Sequence, residues 1–488
     1  MSLIEVNNLT FSYDSSYDNI FENVSFKIDS NWKIGFVGRN GRGKTTFLKL
    51  LQNEYEYRGS IKSRVDFDYF PYIVCDKNCT VLDVIEKVNP NYELWKISIE
   101  LQNLSMNDNI LECTFGNLSN GEQAKVLLAI LFSKENNFLL IDEPTNHLDI
   151  NARKEVAKYL KSKKGFILVS HDRNFLDSIV DYILAINKTS IDIVKGNFSN
   201  WYDNKERSDN SEIKKNEKLK KDIVKLEASS RRVNDWAASA EKSKFGGEVI
   251  DRGFASHKAA KLQKRSKAVE ARKDKAIEEK SKLMKDVEST VDLKMFPQKH
   301  HKKNLIEIEN LNISYGEKRV LKDFCLTIAQ GDKILLKGQN GCGKSSILRA
   351  IVGEIDYTGQ IKKAPGLKIS YIMQDASRLN GSIDSLATER GIDGTLVKTL
   401  LRQLGFNRVQ LNKKIEDFSE GQKKKMLLAA SLCEQAHVYI WDEPLNYIDI
   451  FTRIQLENLI KKYDMTLLVI EHDESFNQNL QLKELYIK

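Results

Sequence analysis

Short apolar runs recur along this chain. Lys33-Ile34-Gly35-Phe36-Val37 and Phe138-Leu139-Leu140-Ile141 do not alternate with polar residues and are bounded by loop formers. Such runs suit strands buried on both faces of a parallel sheet, where neither face meets water. Amphipathic stretches lie between them, Lys44 to Leu51 and Gln123 to Phe132 among them, and predict crossover helices. That alternation predicts α/β domains. From about Lys205 to Lys302 the texture changes. Leu219, Leu226 and Val233 recur every seven residues with Ile223 between them, and Leu262, Val269, Ala276 and Leu283 repeat the period. Two helices are predicted there, with the Phe245-Gly246-Gly247 region as the turn of an antiparallel hairpin. A helix of about 30 residues reaches roughly 45 Å, so the hairpin can project far from a globular body.

The α/β pattern occurs twice. Gly38-Arg39-Asn40-Gly41-Arg42-Gly43-Lys44-Thr45 returns as Gly338-Gln339-Asn340-Gly341-Cys342-Gly343-Lys344-Ser345, shifted by 300 positions. Leu118-Ser119-Asn120-Gly121 returns as Phe418-Ser419-Glu420-Gly421, and Ile141-Asp142-Glu143-Pro144 as Trp441-Asp442-Glu443-Pro444, with the same shift. A fixed offset across separate motifs means a duplicated domain. The division predicted is residues 1–200, a helical linker at 201–303, and residues 304–488.

Composition sharpens this. At 488 residues, 41% apolar and 30% charged, the chain is long enough for several cores and has no apolar run of membrane-spanning length. Six scattered cysteines suit a reducing compartment, and Cys75 and Cys79 lack partners at zinc-ligand spacing. The N-terminus reads as the start of a strand rather than a secretory signal, so a cytoplasmic location is expected. The net charge of +8 is unevenly placed: residues 201–303 hold 28 Lys and Arg against 18 Asp and Glu, an excess of 10, which leaves the rest at −2. The basic surplus therefore lies wholly in the linker, where it suits phosphate-rich partners.

Both glycine-rich loops match G-x-x-x-x-G-K-[ST] between a buried strand and a helix. Backbone amides of Gly38, Asn40, Gly41 and Gly43, and of Gly338, Asn340, Gly341 and Gly343, are expected to wrap phosphates. Lys44 and Lys344 are placed to pair with β/γ-phosphates, the hydroxyls of Thr45 and Ser345 to meet Mg2+, and Thr46 and Ser346 to bind ATP beside them. Asp142 and Asp442 end apolar strands as further Mg2+ candidates, and the adjacent Glu143 and Glu443 are candidate general bases. Ser119 and Gly121, like Ser419 and Gly421, stand at predicted helix N-termini suited to an anion.

Taken with the downstream His171 and His472, these motifs resemble the ATP-binding cassette superfamily over about four fifths of the chain. The resemblance implies two tandem ABC-type P-loop ATPase domains of α/β fold, joined by an α-helical hairpin linker. It implies head-to-tail pairing within one monomer, so that ATP on Lys44 and Thr45 is closed by Ser419 and Gly421, and ATP on Lys344 and Ser345 by Ser119 and Gly121. His171 and His472 match the switch histidine near the γ-phosphate, and Gln374 matches a glutamine that contacts metal or water. Tyr13 and Tyr315 match an adenine-stacking aromatic, with packing in a core as the competing reading. The first half departs from the pattern with Tyr69-Phe70-Pro71-Tyr72 in the glutamine's place, and the second half with Leu445-Asn446-Tyr447-Ile448-Asp449 in place of Thr145-Asn146-His147-Leu148-Asp149. Two unequal ATP sites are therefore expected.

Twin cassettes with a basic helical linker resemble the ABC-F family, and residues 251–261 resemble the linker of its Lsa-type antibiotic-resistance members. That implies ATP hydrolysis with Mg2+ and binding at the exit site of the bacterial ribosome, against large-subunit rRNA and P-site tRNA, with no membrane partner. It also implies displacement of lincosamides, pleuromutilins and streptogramin A compounds. The alternatives are a housekeeping translation factor of the same family or a cytosolic ATPase subunit of a transporter. The linker tip offers Lys244, Phe245, Arg252, Phe254 and His257 for contact with RNA or tRNA.

Overall fold

The structure is a computed structural model that describes residues 2–13, 19–145, 148, 150–187, 191–242, 275, 294–316, 318–339, 341–377 and 379–487. It divides into two compact units, Met1–Ser199 with Val291–Lys488, and Asn200–Thr290. Asn340, part of the hairpin's second helix and the tip residues Lys244, Phe245, Arg252, Phe254 and His257 lie outside the described residues.

The first half begins with β1 (Leu3–Phe11), β2 (Phe21–Asp29), β3 (Lys33–Val37), α1 (Lys44–Leu51), β4 (Arg58–Lys62) and β5 (Asp66–Phe70). It continues through α2 (Val81–Val88), α3 (Leu94–Asn103), α4 (Asn120–Ser133), β6 (Asn137–Asp142), α5 (Ile150–Ser162), β7 (Phe166–Val169), α6 (Arg173–Ile179), β8 (Tyr182–Ile186) and β9 (Ile191–Lys195). One sheet runs β5-β6-β7-β3-β8-β9, parallel except for its β9 edge, and a second, antiparallel sheet runs β2-β1-β4. Phe36 on β3 and Leu140 on β6 pack with Val6 on β1 and with Phe47 and Leu48 on α1 in one buried cluster. This is why the runs around Phe36 and Leu140 are apolar throughout: the central strands of the parallel sheet have no solvated side.

A helix α7 (Phe198–Lys242) then extends over 45 residues, about 68 Å at 1.5 Å per residue. Within it Leu219 and Ile223 are half-buried while Lys220 and Lys221 are exposed, which follows the predicted apolar seam.

The second half repeats the plan with β10 (Asn304–Tyr315), β11 (Lys318–Ala329), β12 (Lys333–Lys337), α8 (Lys344–Val352), β13 (Thr358–Lys363), β14 (Ile369–Ile372), α9 (Ile383–Glu389) and α10 (Gly394–Gln403). After these come α11 (Glu420–Cys433), β15 (Val438–Asp442), α12 (Ile450–Lys462), β16 (Thr466–Ile470), α13 (Glu474–Leu480) and β17 (Lys483–Tyr486). Its sheets run β14-β15-β16-β12-β17, with every pairing parallel, and β11-β10-β13. Among the described residues no helix is long and apolar enough to cross a membrane.

Candidate functional site

In each half the loop after the central strand turns directly into a helix, and two glycines make that turn possible. Gly41 and Gly43 have φ of 81° and 90°, and Gly341 and Gly343 have 81° and 95°, a left-handed backbone that residues with a Cβ adopt at a cost. A Cβ on Gly41 or Gly341 would meet nothing within 4 Å, so the concave side of each loop is open to a ligand. Lys44 Nζ folds back over this concavity to the carbonyls of Gly38 at 2.7 Å and Arg39 at 3.4 Å, and to Asn40 Oδ1 at 3.4 Å. Lys344 Nζ does the same to Gly338 and Gln339, at 2.8 and 2.9 Å. Burial pushes the Lys44 ammonium down, opposed by the carboxylates of Asp449, Glu143 and Asp142. A cation held over a ring of amide groups is ready for phosphate oxygens.

Carboxyl groups stand beyond each lysine. Thr45 Oγ1 donates to Asp142 Oδ2 at 3.1 Å, and Tyr69 OH donates to the same oxygen at 2.9 Å. In the second half Asp442 is fully buried with no donor in hydrogen-bonding geometry among the described residues. Burial drives its carboxyl up to about 6, although the Ser345 hydroxyl pulls the other way. A buried carboxylate without a donor, beside a hydroxyl and a glycine-rich loop, fits a divalent cation. Glu143 and Glu443 follow with φ of 52° and 49°, each fixed by its N–H to a strand carbonyl, Val169 at 2.9 Å and Ile470 at 3.0 Å. This unfavourable backbone, present in both copies, turns each glutamate off the strand end. Glu143 Oε1 lies 3.3 Å from His171 Nε2 and Glu443 Oε1 lies 3.9 Å from His472 Nε2. Burial, reinforced by Asp142, pushes Glu143 up to about 8, and burial holds His171 well below the ordinary imidazole value.

The surroundings of the two glutamates differ. Gln374 Nε2 donates to Glu443 Oε1 at 3.1 Å and Asn446 Nδ2 to Glu443 Oε2 at 2.7 Å. Strand register identifies Gln374's counterpart in the first half: Tyr371 pairs with Ile440 as Tyr69 pairs with Leu140, which places Tyr72 at the glutamine's position. Tyr72 is exposed, and Asn146 lies outside the described residues.

Two cavities of about 450 and 460 Å³ lie between the halves. The first joins Asn40, Gly41, Glu143 and His171 to Ser419 and Gly421. The second joins Lys344, Ser345, Gln374, Glu443 and His472 to Asn120 of the first half, the residue between Ser119 and Gly121. Ser119 and Ser419 both close capping boxes, with Glu122 and Gln422 as reciprocal partners, which fixes the start of α4 and of α11. Tyr13 OH bonds Thr46 Oγ1 at 2.8 Å and Tyr315 OH bonds Ser346 Oγ at 3.1 Å, so each tyrosine is tied to its glycine-rich loop helix. Tyr315 also lines the second cavity.

Contacts across the seam were not legible in the motifs. Asn40 Nδ2 donates to the Tyr447 carbonyl at 2.8 Å. Arg153 Nη1 reaches the His472 carbonyl at 3.3 Å. The repeat of Arg153 as Arg453 at the common offset of 300 was the available signal.

This fold and these paired loops define an ATP-binding cassette protein, and comparison with known families agrees. Residues 21–146 and 321–446 both match the ABC transporter family, and the chain belongs to it. Domains of this family bind ATP, typically with Mg2+, and hydrolyse it. Over 494 residues the chain is 29% identical to the ribosome protection protein VmlR of Bacillus subtilis (strain 168), covering 98% of this chain and 85% of that protein. It is 28% identical over 509 residues to the ATP-binding protein Uup of Buchnera aphidicola subsp. Acyrthosiphon pisum (strain APS), covering 99% and 80%. Both relatives match this chain over nearly its whole length. In fold it is similar to a chain in the crystal structure of archaeal ribosome recycling factor aABCE1 with the stalk protein aP1, at a TM-score of 0.62 and 19% identity, covering 97% of this chain and 86% of that one. The RNase-L inhibitor gives 0.60 and 18%, with the same coverage.

Proposed function

We propose that this chain is a ribosome-binding ATPase that protects the ribosome from antibiotics acting at the peptidyl-transferase centre. The observation that carries the reading is the pair of cavities in which the glycine-rich loop of one cassette faces the signature helix of the other. ATP bound in both would draw the cassettes together by its higher affinity for the closed arrangement. Lys44 and Lys344 bind phosphate, Asp142 and Asp442 with Thr45 and Ser345 hold Mg2+, and Glu143 and Glu443 take a proton from the attacking water. Mg2+ supplies charge neutralisation at the phosphates. His171 and His472 orient the glutamates' surroundings, and Gln374 does so in the second site alone, which makes the sites unequal.

Closure would fix the basic linker, residues 201–303, at the exit site, where Lys244, Phe245, Arg252, Phe254 and His257 meet rRNA and P-site tRNA and displace lincosamides, pleuromutilins and streptogramin A compounds. The likeness to VmlR supports protection, and the likeness to Uup supports a second reading, a housekeeping translation factor. The Glu143→Gln/Glu443→Gln variant is expected to accumulate on bacterial ribosomes in ATP, read by co-sedimentation; recovery only in the soluble fraction contradicts ribosome binding. Expression in a susceptible host separates the two readings. Protection requires a raised inhibitory concentration that is lost when residues 244–254 become a Gly/Ser loop, and unchanged susceptibility with the natural chain favours the housekeeping role.

A further inference from the structure

We infer that the second cassette, together with the last residues of the linker, 294–303, carries an RNA-binding surface made of residues other than the tip residues 244–257. Lys302, Lys303, Lys363 and Lys368 are all exposed there, and no carboxylate among the described residues pairs with any of them. The neighbouring Lys299 and Lys362 are neutralised, by Asp464 at 2.9 Å and Glu309 at 3.2 Å.

Imidazoles hold the strip in place. His300 Nδ1 accepts the Lys302 N–H at 3.1 Å, so its Nε2 carries the proton and donates to the Pro365 carbonyl at 3.1 Å. The His300 ring centroid lies 5.0 Å from that of His437, whose Nδ1 accepts the Lys368 N–H at 2.9 Å. Lysines from the incoming segment, from the end of β13 and from the residue before β14 are thereby presented together. Beside them opens a cavity of about 740 Å³ with Lys368 in its wall and the half-exposed ring of Phe296 on its lining; Arg390, also in the wall, is neutralised by Glu434 at 2.9 Å. Cations for phosphates next to an aromatic ring in an open cavity form the combination that binds unpaired RNA, with the backbone on the lysines and a base stacked on the ring.

The duplication supplies an internal control. Strand pairing puts Asp66 and Asn137 of the first cassette where the second has Lys368 and His437. The fold accepts an acid there, so it does not require the basic character. The natural target rests on the ribosome-binding reading above; the RNA chemistry does not.

The test uses the full chain with a labelled oligouridylate and, separately, purified bacterial large ribosomal subunits, across a salt series. Replacing Lys302, Lys303, Lys363 and Lys368 by Ala is expected to flatten the log affinity against log salt slope by about 3 on the oligonucleotide, at roughly 0.7 per phosphate contact. Phe296→Ala is expected to weaken binding about tenfold with the slope unchanged. An unchanged slope in the lysine variant, with its ATP affinity intact, overturns the surface. Loss on subunits with none on the oligonucleotide also overturns it, in favour of an acidic protein partner. Natural chain that fails to bind subunits in ATP instead removes the ribosome reading, while the oligonucleotide slopes still judge the surface.

Discussion

Glu471 stands immediately before His472 with its side chain buried, and it accepts N–H bonds from Leu445 at 3.2 Å and His472 at 2.8 Å. Burial is the dominant influence and pushes it up to about 7, against the opposing pull of Arg453. In the unfolded chain it titrates near 4.5, so folding carries no penalty from this group below that pH. Stability is then lost as pH rises from about 4.5 through about 7, with a ceiling of roughly 3 kcal/mol. The first half has Ser170 at this place, itself bonded to the Asp172 N–H at 3.2 Å. Glu471→Gln is expected to keep the side chain's shape and one of its two acceptor oxygens, with its amide nitrogen facing the other N–H, and to remove this group's share of the pH dependence. Its thermal midpoint should fall less from about pH 5 to pH 8 than the natural chain's, the remaining fall belonging to Asp442 and Glu143, and parallel curves would refute this account. At this scale the sequence exposes loops and catalytic candidates because each rests on a motif. It hides Glu471, whose significance comes from burial alone. It narrows the counterpart of Gln374 only to Tyr69-Phe70-Pro71-Tyr72, and register is needed to pick Tyr72, because the offset between the halves slips from 300 at Lys62 and Lys362 to 302 at Tyr69 and Tyr371.

Elements were legible where packing and capping agree with local pattern. The predicted helix from Lys44 to Leu51 is observed at those bounds, since Gly43 both ends the loop and caps the helix in the left-handed region. The helix predicted from Gln123 starts earlier, at Asn120, because Ser119 and Glu122 close a capping box ahead of the apolar stretch. The two glycines of the first loop separate backbone strain from steric conflict. At Gly41 a methyl group has open space, so Gly41→Ala costs only the left-handed backbone, about 1 kcal/mol. At Gly43 the same methyl would stand 2.5 Å from Ile20 Cγ2 and 3.2 Å from Phe21 Cζ, so the start of β2 must move as well. Gly43→Ala is therefore expected to cost about 2–3 kcal/mol, the strain plus overpacking. Chemical denaturation of both variants checks the order, and equal losses would mean that β2 yields without cost.

Across the whole globular unit, the seam between the cassettes carries charge that neither half displays by itself. Arg173 on α6 pairs with Glu457 on α12, which is nearly fully buried and also accepts from Asn479 Nδ2 at 2.8 Å. Lys154 on α5 pairs with Glu474 at the start of α13, at 3.0 Å and with both side chains more exposed. The exposed pair is worth little on general grounds, whereas breaking the buried one strands a carboxylate. Burial already pushes Glu457 up despite Arg173 beside it. Each cassette keeps its own core, so the stranded charge need not unfold the chain; separating the cassettes returns Glu457 to water. Arg173→Ala should thus shift the balance from closed toward open, with about 3 kcal/mol as the scale for a broken buried pair. The effect should appear as a raised ATP requirement for closure, followed by fluorescence transfer between labels on the two cassettes, at a nearly unchanged unfolding midpoint. Lys154→Ala should move closure far less. Arg173→Ala/Glu457→Ala should recover much of the loss, since the second substitution removes the stranded charge. Additive losses in that double variant would mean that the pair does not govern closure.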